Sequence, residues 1–550
     1  MTYHQQHPYG SARFANDGEI RRAFHGKGGV PFGFHQGRKL HHSKQAGMLL
    51  IGGAGSGKFT SVLAHIMNSK PRAGEPARYA IFDPKRELRA VLEPYFAHIG
   101  AAVYEINPYA THGAEGHRLS LLSHLTPNSP RLVADSRRAA RTFLPESGGG
   151  DSQFFDQKGQ SWLEALIRGL VHMDGGVSPA SLHALVSMIR ATPADWKDIA
   201  SIMAGMGEPD LFTTYAEMIE MAEDSRRTFD SVMGGITNAL SFMNDPALQR
   251  AFVSTNQADF SLEALMENSD RHVFVFFVMP PELTHQNAAL IRQFFSTLRT
   301  LKQERPDAPT LNLVIDEAAQ LGRFPEIAEF FSIGRGFGLC PLAVYQDLGQ
   351  IRNNLGPTGA MTLTASSDLE VYLGGGISDL DTARHLSAKL GNQTLEVADP
   401  LVRARAERSM REAMVDTLFG KGDPFRAGIA LKSLKVEKEH VQKHARALRT
   451  ADEILRMSNR EALVLASGYG IPPFIAEKTP YFERREYIGL YAPNPYFDRD
   501  LGSISVPWRF GLKKRLRVIR ERVPASHAHL PQYKSGEWSF IQGHKPASRN

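Results

Sequence analysis

Two stretches of this chain hold the residue types that could do chemistry: Gly52-Gly53-Ala54-Gly55-Ser56-Gly57-Lys58, and the run Leu311-Asn312-Leu313-Val314-Ile315-Asp316-Glu317 about 260 residues later. The first is a glycine turn that can wrap an anion in backbone N–H groups, with Lys58 placed to reach the β- and γ-phosphates of a nucleotide as a point charge. The second delivers two carboxylates from the end of an apolar run. Asp316 is suited to holding Mg²⁺, directly or through water, and Glu317 to orienting a water for in-line attack on phosphorus. An acidic pair after apolar residues is by itself commonly a solvated strand end. Coupled to the lysine-tipped glycine loop, it predicts hydrolysis of a nucleoside triphosphate.

One position departs from the pattern. G-x-x-x-x-G-K normally continues with Ser or Thr, whose hydroxyl binds Mg²⁺, yet here Phe59 follows and the hydroxyl comes one later, at Thr60. A one-residue shift on a helix turns a side chain by about 100°. The expected cradle is therefore Gly52, Gly53, Ala54, Gly55, Ser56, Gly57 and Lys58, continued by Phe59 and Thr60. The expected metal ligands are Asp316 and Thr60, and whether this loop coordinates the ion stays open.

These groups need a sheet to hold them. Residues 48–51 read as a buried strand and 61–67 as a helix, so the glycine loop sits between strand and helix. Further strands are expected at 78–82, 102–106, 273–278, 311–315, 339–345, 369–373 and 462–466, separated by helical patterns. That alternation predicts an α/β fold of the P-loop type: a mostly parallel sheet with helices on both faces, and Asp316 and Glu317 at a carboxyl end. Residues 124–250 lack strand patterns and repeat apolar positions at helical spacing, as in Trp162, Leu163, Leu166, Ile167 and Leu170. The resulting division is an irregular lead-in over 1–47, a nucleotide-binding domain over 48–123 and 251–490, an inserted all-α domain over 124–250, and a basic tail over 491–550.

Composition fits a globular chain too long for one core: 550 residues, 42% hydrophobic and 22% charged. No run approaches the roughly 18 apolar residues that span a bilayer, because the most apolar, over 273–279, stops at Pro280 and Pro281. The first seven residues hold no apolar signal region, which argues against secretion. The single cysteine, Cys340, excludes an internal disulfide and reads as a packed strand residue. The 21 histidines, His41 and His42 included, show no zinc spacing and read as surface residues. The formal charge of +6 is uneven: +8 over residues 501–550, +5 over 1–50 and −7 over the rest. Basic ends of this kind meet nucleic acid, anionic lipid or an acidic partner, or remain solvated.

In order and spacing, several further motifs resemble the TraG-like coupling proteins of type IV secretion, the conjugative DNA transfer ATPases. They are Gly10-Ser11-Ala12-Arg13-Phe14-Ala15, Phe82-Asp83-Pro84-Lys85-Arg86-Glu87-Leu88, Asp316-Glu317-Ala318-Ala319-Gln320-Leu321-Gly322-Arg323, Gly334-Arg335-Gly336-Phe337-Gly338, Tyr345-Gln346-Asp347-Leu348 and Asp381-Thr382-Ala383-Arg384-His385-Leu386-Ser387. The resemblance implies a RecA-like ATPase that uses ATP and Mg²⁺ and assembles as a homohexamer at the cytoplasmic face of the bacterial inner membrane. Its implied partners are single- or double-stranded DNA, relaxase or relaxosome proteins or secreted effectors, and the components of the secretion channel. It also implies that Gln346 senses the γ-phosphate, and that an arginine, Arg335 first and Arg384 second, reaches a neighbouring subunit's nucleotide. Family members usually begin with transmembrane helices, for which this sequence has almost no room. The anchor is then absent, supplied by a separate membrane subunit, or removed. Two alternatives stay open beside the secretion motor: a DNA-pumping ATPase unrelated to secretion, and a non-hydrolysing substrate receptor.

Overall fold

The chain's structure, a computed structural model, describes residues 7–547 except 68, 70–73, 147–151, 192–196, 199, 203–204, 206–207, 399, 419–424, 426–428, 430–431 and 433–440. Its strands in chain order are β1 (Val30–His35), β2 (Arg38–His42), β3 (Gly47–Ile51), β4 (Arg78–Phe82), β5 (Ala102–Ile106), β6 (Val273–Phe277), β7 (Leu311–Ile315), β8 (Leu339–Tyr345), β9 (Ser367–Leu373), β10 (Asn392–Ala398), β11 (Val441–Ala447), β12 (Glu461–Leu465), β13 (Phe474–Glu477), β14 (Ser503–Pro507), β15 (Lys513–Arg522) and β16 (Glu537–Ile541).

Eleven of them form one sheet in the order β2-β1-β13-β12-β9-β3-β8-β7-β4-β6-β5. From β9 to β5 every pairing is parallel, and from β9 outward to β2 every pairing is antiparallel. The parallel strands β3, β4, β6 and β7 are buried along their whole length, as expected for strands covered on both faces. Side chains alternate between two cores. Leu49, Ile51, Phe82, Leu313 and Ile315 pack beneath helices Leu132–Phe143, Ser152–Asp174 and Ala288–Glu304, while Met48, Leu50, Ile81 and Val314 face the other side. Between β5 and β6 the described residues form helices and turns, and their buried residues, Trp162 and Met233 among them, are continuous with the first core.

Several expectations need correction. The lead-in is not irregular: helix Asp17–Phe24 begins with a capping box between Asn16 and Glu19, and β1 and β2 form a hairpin on the sheet edge. Gln36 and Gly37 both take positive φ at its turn, and the Glu477 carboxylate accepts both their N–H groups at 3.0 and 3.3 Å. Such a turn matches the twist of paired strands. Phe24, Phe32, Phe34 and Leu40 are wholly buried. His41 and His42 are core residues; His42 lies 2.8 Å from the Tyr469 hydroxyl and 3.0 Å from the Ala46 carbonyl. The helix expected over 61–67 is a four-residue helix, Lys58–Ser61, followed by a tighter turn, Leu63–Ile66. The stretch expected as a basic tail, 491–550, carries the antiparallel sheet β14-β15-β16. Leu530, Tyr533, Trp538 and Phe540 close over Ala97. Gln532 then caps the exposed edge of β5, accepting the Val103 N–H at 3.0 Å and donating to the Ala101 carbonyl at 2.8 Å. An uncovered edge strand invites pairing with other chains. Between β9 and β12 the chain adds helix Pro400–Leu418 and a two-stranded ribbon of β10 and β11.

Candidate active site

The glycine loop leaves β3 at the carboxyl rim of the parallel strands. Gly52 donates to the Tyr345 carbonyl at 3.1 Å and Gly53 to the Gly376 carbonyl at 2.8 Å, which binds the loop to β8 and to the turn after β9. Gly55 and Gly57 take φ of 74° and 79°, values that cost glycine little. A Cβ on Gly53 would stand 2.6 Å from the Gly376 oxygen, and one on Gly376 would stand 2.4 Å from Ser56 Cβ. The glycines therefore let two backbones touch. Ser56 is fully buried and its hydroxyl makes no hydrogen bond.

Lys58 donates to the Gly52 carbonyl at 2.9 Å. Burial lowers its pKa, Asp316 and Glu317 oppose that, and Lys85 adds to it; the lysine and the two carboxylates thus share one field across the rim. Burial and the adjacent Glu317 push the Asp316 carboxyl up to about 7, against the pull of Lys58. Glu317 adopts a left-handed conformation at φ 56°, ψ 51°, and its carboxylate accepts from Gln320 Nε2. Non-glycine residues in that region concentrate at functional sites because surrounding structure must hold them there.

Gln346 follows the end of β8, beside Gly52, and its N–H donates to Gln350 Oε1 at 2.9 Å. It lines a cavity of about 700 Å³ with Gly53, Ala54, Gly376, Asp379 and Thr382. Phe59 turns away from the loop: its ring packs edge-on against Tyr481, with centroids 5.8 Å apart, at the margin of the second core. The Thr60 hydroxyl tucks close under the loop, 3.3 Å from where a Gly57 Cβ would stand.

The structure therefore brings together Lys58, Asp316, Glu317, Gln346 and the glycine loop. It does not bring Arg335 to them. Arg335 precedes β8 at the amino end of the strands, where it is exposed and 4.0 Å from Asp368, so seven strand residues, roughly 20 Å, separate it from Gln346. Arg384 lies exposed on helix Leu380–Leu390.

A family model for type IV secretory system conjugative DNA transfer matches residues 12–410, well over half of the chain. The chain belongs to this family. Among its curated relatives, the type IV secretion system-coupling protein VirD4 of Bartonella henselae is 27% identical over 184 residues, 33% of this chain and 24% of that protein. The conjugal transfer protein TraG of Escherichia coli is 21% identical over 281 residues, 48% of this chain and 43% of that one. The matched stretch thus spans less than half of either relative. The structure of the conjugative coupling protein TrwBΔN70 in complex with sulphate superposes with a TM-score of 0.58 at 19% identity, covering 85% of this chain and 93% of that one. TrwB in complex with ADP and Mg²⁺ gives 0.58 at 18%, covering 85% and 94%. The likeness establishes the RecA-like P-loop fold.

In this family member, sequence motifs did not single out three supports of the site. Lys478, just beyond β13, is buried beneath the loop and donates to the Ser56 carbonyl at 2.6 Å, the Gly374 carbonyl at 2.8 Å and Asn459 Oδ1 at 3.1 Å. Burial alone pushes its pKa down to about 8. Asp83, at the end of β4 beside β7, accepts the N–H groups of Glu87 at 3.0 Å and Arg89 at 2.8 Å. Its carboxyl is pushed up to about 7, by burial first and then by the charge of Asp316. Gly376 is the third. Asp83 lies within the motif Phe82-Asp83-Pro84-Lys85-Arg86-Glu87-Leu88, which by itself assigns it no role, and Lys478 carries no local signal.

Proposed function

We propose that this chain is an ATP-driven motor that moves DNA, alone or with a bound relaxase or effector protein, toward a type IV secretion channel. The observation that carries the reading is the shared field of Lys58, Asp316 and Glu317 on one rim of a P-loop sheet, in a member of the conjugative DNA transfer family. The glycine loop and Lys58 bind the triphosphate of the substrate, and buried Lys478 holds the loop from behind and adds its charge. Glu317, steadied by Gln320, orients the water that attacks the terminal phosphorus. Gln346 reads the phosphate end and passes its state along helix Leu348–Ala365.

The residues suit Mg²⁺. Among the described residues no three His, Cys, Asp or Glu side chains gather into a metal cage, and Mg²⁺ commonly takes one or two carboxylates and completes its shell with phosphate and water. Asp316 would hold it, with the Thr60 hydroxyl as second donor, and the ion would offset charge on the phosphate oxygens. The fully buried, unbonded Ser56 hydroxyl and the backbone-to-backbone glycine contact fit a loop shaped for phosphate.

Arg335 serves this motor only from a neighbouring subunit of a homohexamer, its exposed position at the opposite rim being suited to a donor in trans. A cavity of about 580 Å³ beside helix Leu132–Phe143 is lined by Arg141, Arg292 and Arg323, by Arg137, Arg138 and Arg299, which pair with acidic neighbours, and by Glu146, Glu326 and Glu329; its excess of arginines is a candidate surface for phosphodiester contacts. Among the described residues no helix is long and apolar enough to cross a membrane.

Steady-state ATP hydrolysis with and without single-stranded DNA, comparing the wild type with Glu317→Gln, tests the motor. DNA-stimulated turnover that the substitution removes supports it. Absent turnover in a hexameric protein favours the second reading, a non-hydrolysing receptor, for which Phe59 in the hydroxyl position and packed on Tyr481 is the specific observation.

A further inference from the structure

The turn between β14 and β15, Trp508-Arg509-Phe510-Gly511-Leu512, gathers three exposed large apolar side chains within five residues. Trp508 is 46% exposed, Leu512 65% and Phe510 97%. The tip is nonetheless well defined. Trp508 donates to the Leu512 carbonyl at 2.7 Å and Leu512 to the Arg509 carbonyl at 3.2 Å, and Arg485 fastens the turn through the Trp508 carbonyl at 2.9 Å. Phe510 takes a φ of 55° that bulky side chains rarely adopt, and in that conformation its ring points away from the protein.

Cations surround this apolar tip. Residues 508–522 contain seven Lys or Arg and one Glu. Lys513, Arg515 and Arg517 alternate with Leu516 along β15, so they share the face away from the core. Lys514 lies 4.5 Å over the Trp508 ring. Arg515 is tied to Asp500, whereas Arg509, Lys513 and Arg517 form no ion pair with a described residue.

We infer that the β14–β15 hairpin docks on an anionic lipid bilayer, its Trp508, Phe510 and Leu512 side chains entering the interface while the flanking cations meet the headgroups. An aromatic and aliphatic tip ringed by Lys and Arg is the chemistry that binds a negatively charged membrane surface. Nucleic acid suits the tip less well. The three side chains project from a single turn, Leu512 offers no ring for base stacking, and Lys514 already covers one face of Trp508. The inference adds a direct lipid contact to the proposed function without depending on the nucleotide chemistry.

The test is co-sedimentation of the full chain with vesicles of phosphatidylcholine alone and of phosphatidylcholine mixed with phosphatidylglycerol. Circular dichroism of each variant controls for folding. The wild type should bind only the anionic vesicles, with a blue shift in tryptophan emission that Trp508→Phe removes. Phe510→Glu/Leu512→Glu should weaken binding on the order of tenfold or more, and Lys513→Glu/Lys514→Glu should weaken it in a salt-dependent way. Neither pair touches the active site, so vesicle-free ATP hydrolysis should be unchanged. A wild type that ignores anionic vesicles overturns the inference, as does a tip variant that binds them as well as the wild type. Loss of single-stranded oligonucleotide binding in the tip variants, without vesicle binding in the wild type, would reassign the hairpin to nucleic acid and also overturn it. A chain that binds vesicles but never hydrolyses ATP would sink only the motor.

Discussion

At the carboxyl rim of the parallel strands, charged groups gather out of the solvent: Asp83 and Lys478 are nearly inaccessible, Asp316 is partly buried beside them, and each is held by loop backbone or by a neighbouring charge. At the β14–β15 tip the arrangement is inverted, with three large apolar side chains in water and cations spread around them. Both regions depart from the usual sorting of polar outside and apolar inside, and each departure is costly to the isolated protein. A buried charge gains electrostatic strength from its dry surroundings and can act on a small, dense anion. An exposed apolar tip has nothing to gain until a broad surface covers it.

The sharpest break of this contrast is Lys58→Ala. Removing the loop's phosphate-facing charge should cut ATP turnover on the order of 10²-fold or more, while the circular dichroism melt changes little. A melt that collapses with it would mean that the lysine serves the fold.

Next is Gly376→Ala, whose added carbon would meet Ser56 Cβ at 2.4 Å and the Gly53 nitrogen at 2.8 Å. A forced shift of this kind in packed structure costs about 1–3 kcal/mol. Thermal unfolding should show it, and nucleotide titration should show weaker binding because the shift falls on the loop itself.

A subtler effect is tied to pH. Lys478 has a folded pKa of about 8 against an ordinary 10.5, so between those values the folded chain binds fewer protons than the unfolded one. Stability from this group therefore rises as pH climbs through 8 toward 10.5. Nucleotide affinity should fall over the same rise, since the loop loses a supporting charge. Opposite trends in melting and in binding are expected in the wild type, and a flat binding profile in Lys478→Met. Matching trends would remove Lys478 from the site.

The smallest change in fold stability is expected at the other region: Phe510→Glu should alter it by no more than about 0.5 kcal/mol, because the ring makes almost no internal contact. A larger loss in urea titration would mean that the tip packs against another part of the chain.

The placement of the candidate site was readable because it resides in local runs. A glycine loop between strand and helix, and an acidic pair at the end of five apolar residues, state their geometry within a few positions, and the structure places Lys58, Asp316 and Glu317 on one rim as those runs predict. Arg335 did not join them, since a motif gives an arginine's distance along the chain and not which rim of the sheet it occupies. Gly and His in the lead-in mask its hairpin, although Phe24, Phe32 and Phe34 supply the apolar groups that it buries. Net charge alone makes residues 491–550 read as a tail, whereas alternation makes them strand: on β15, Leu516 is buried between exposed Arg515 and Arg517.

Sequence alone determined the phosphate loop, the carboxylate strand and the alternation that makes the sheet, since each depends on the period of side chains along a few residues. Tertiary structure decided which distant groups support them. Lys478 comes to Ser56 across 422 positions, and Gly376 meets Gly53 only because β9 and β3 are neighbours. Contacts of that range follow from strand order, which no local pattern encodes. The same holds for the hairpin tip, whose side chains are exposed because the β14–β16 sheet spends its apolar face on Ala97 and the second core, leaving the turn beyond reach of either.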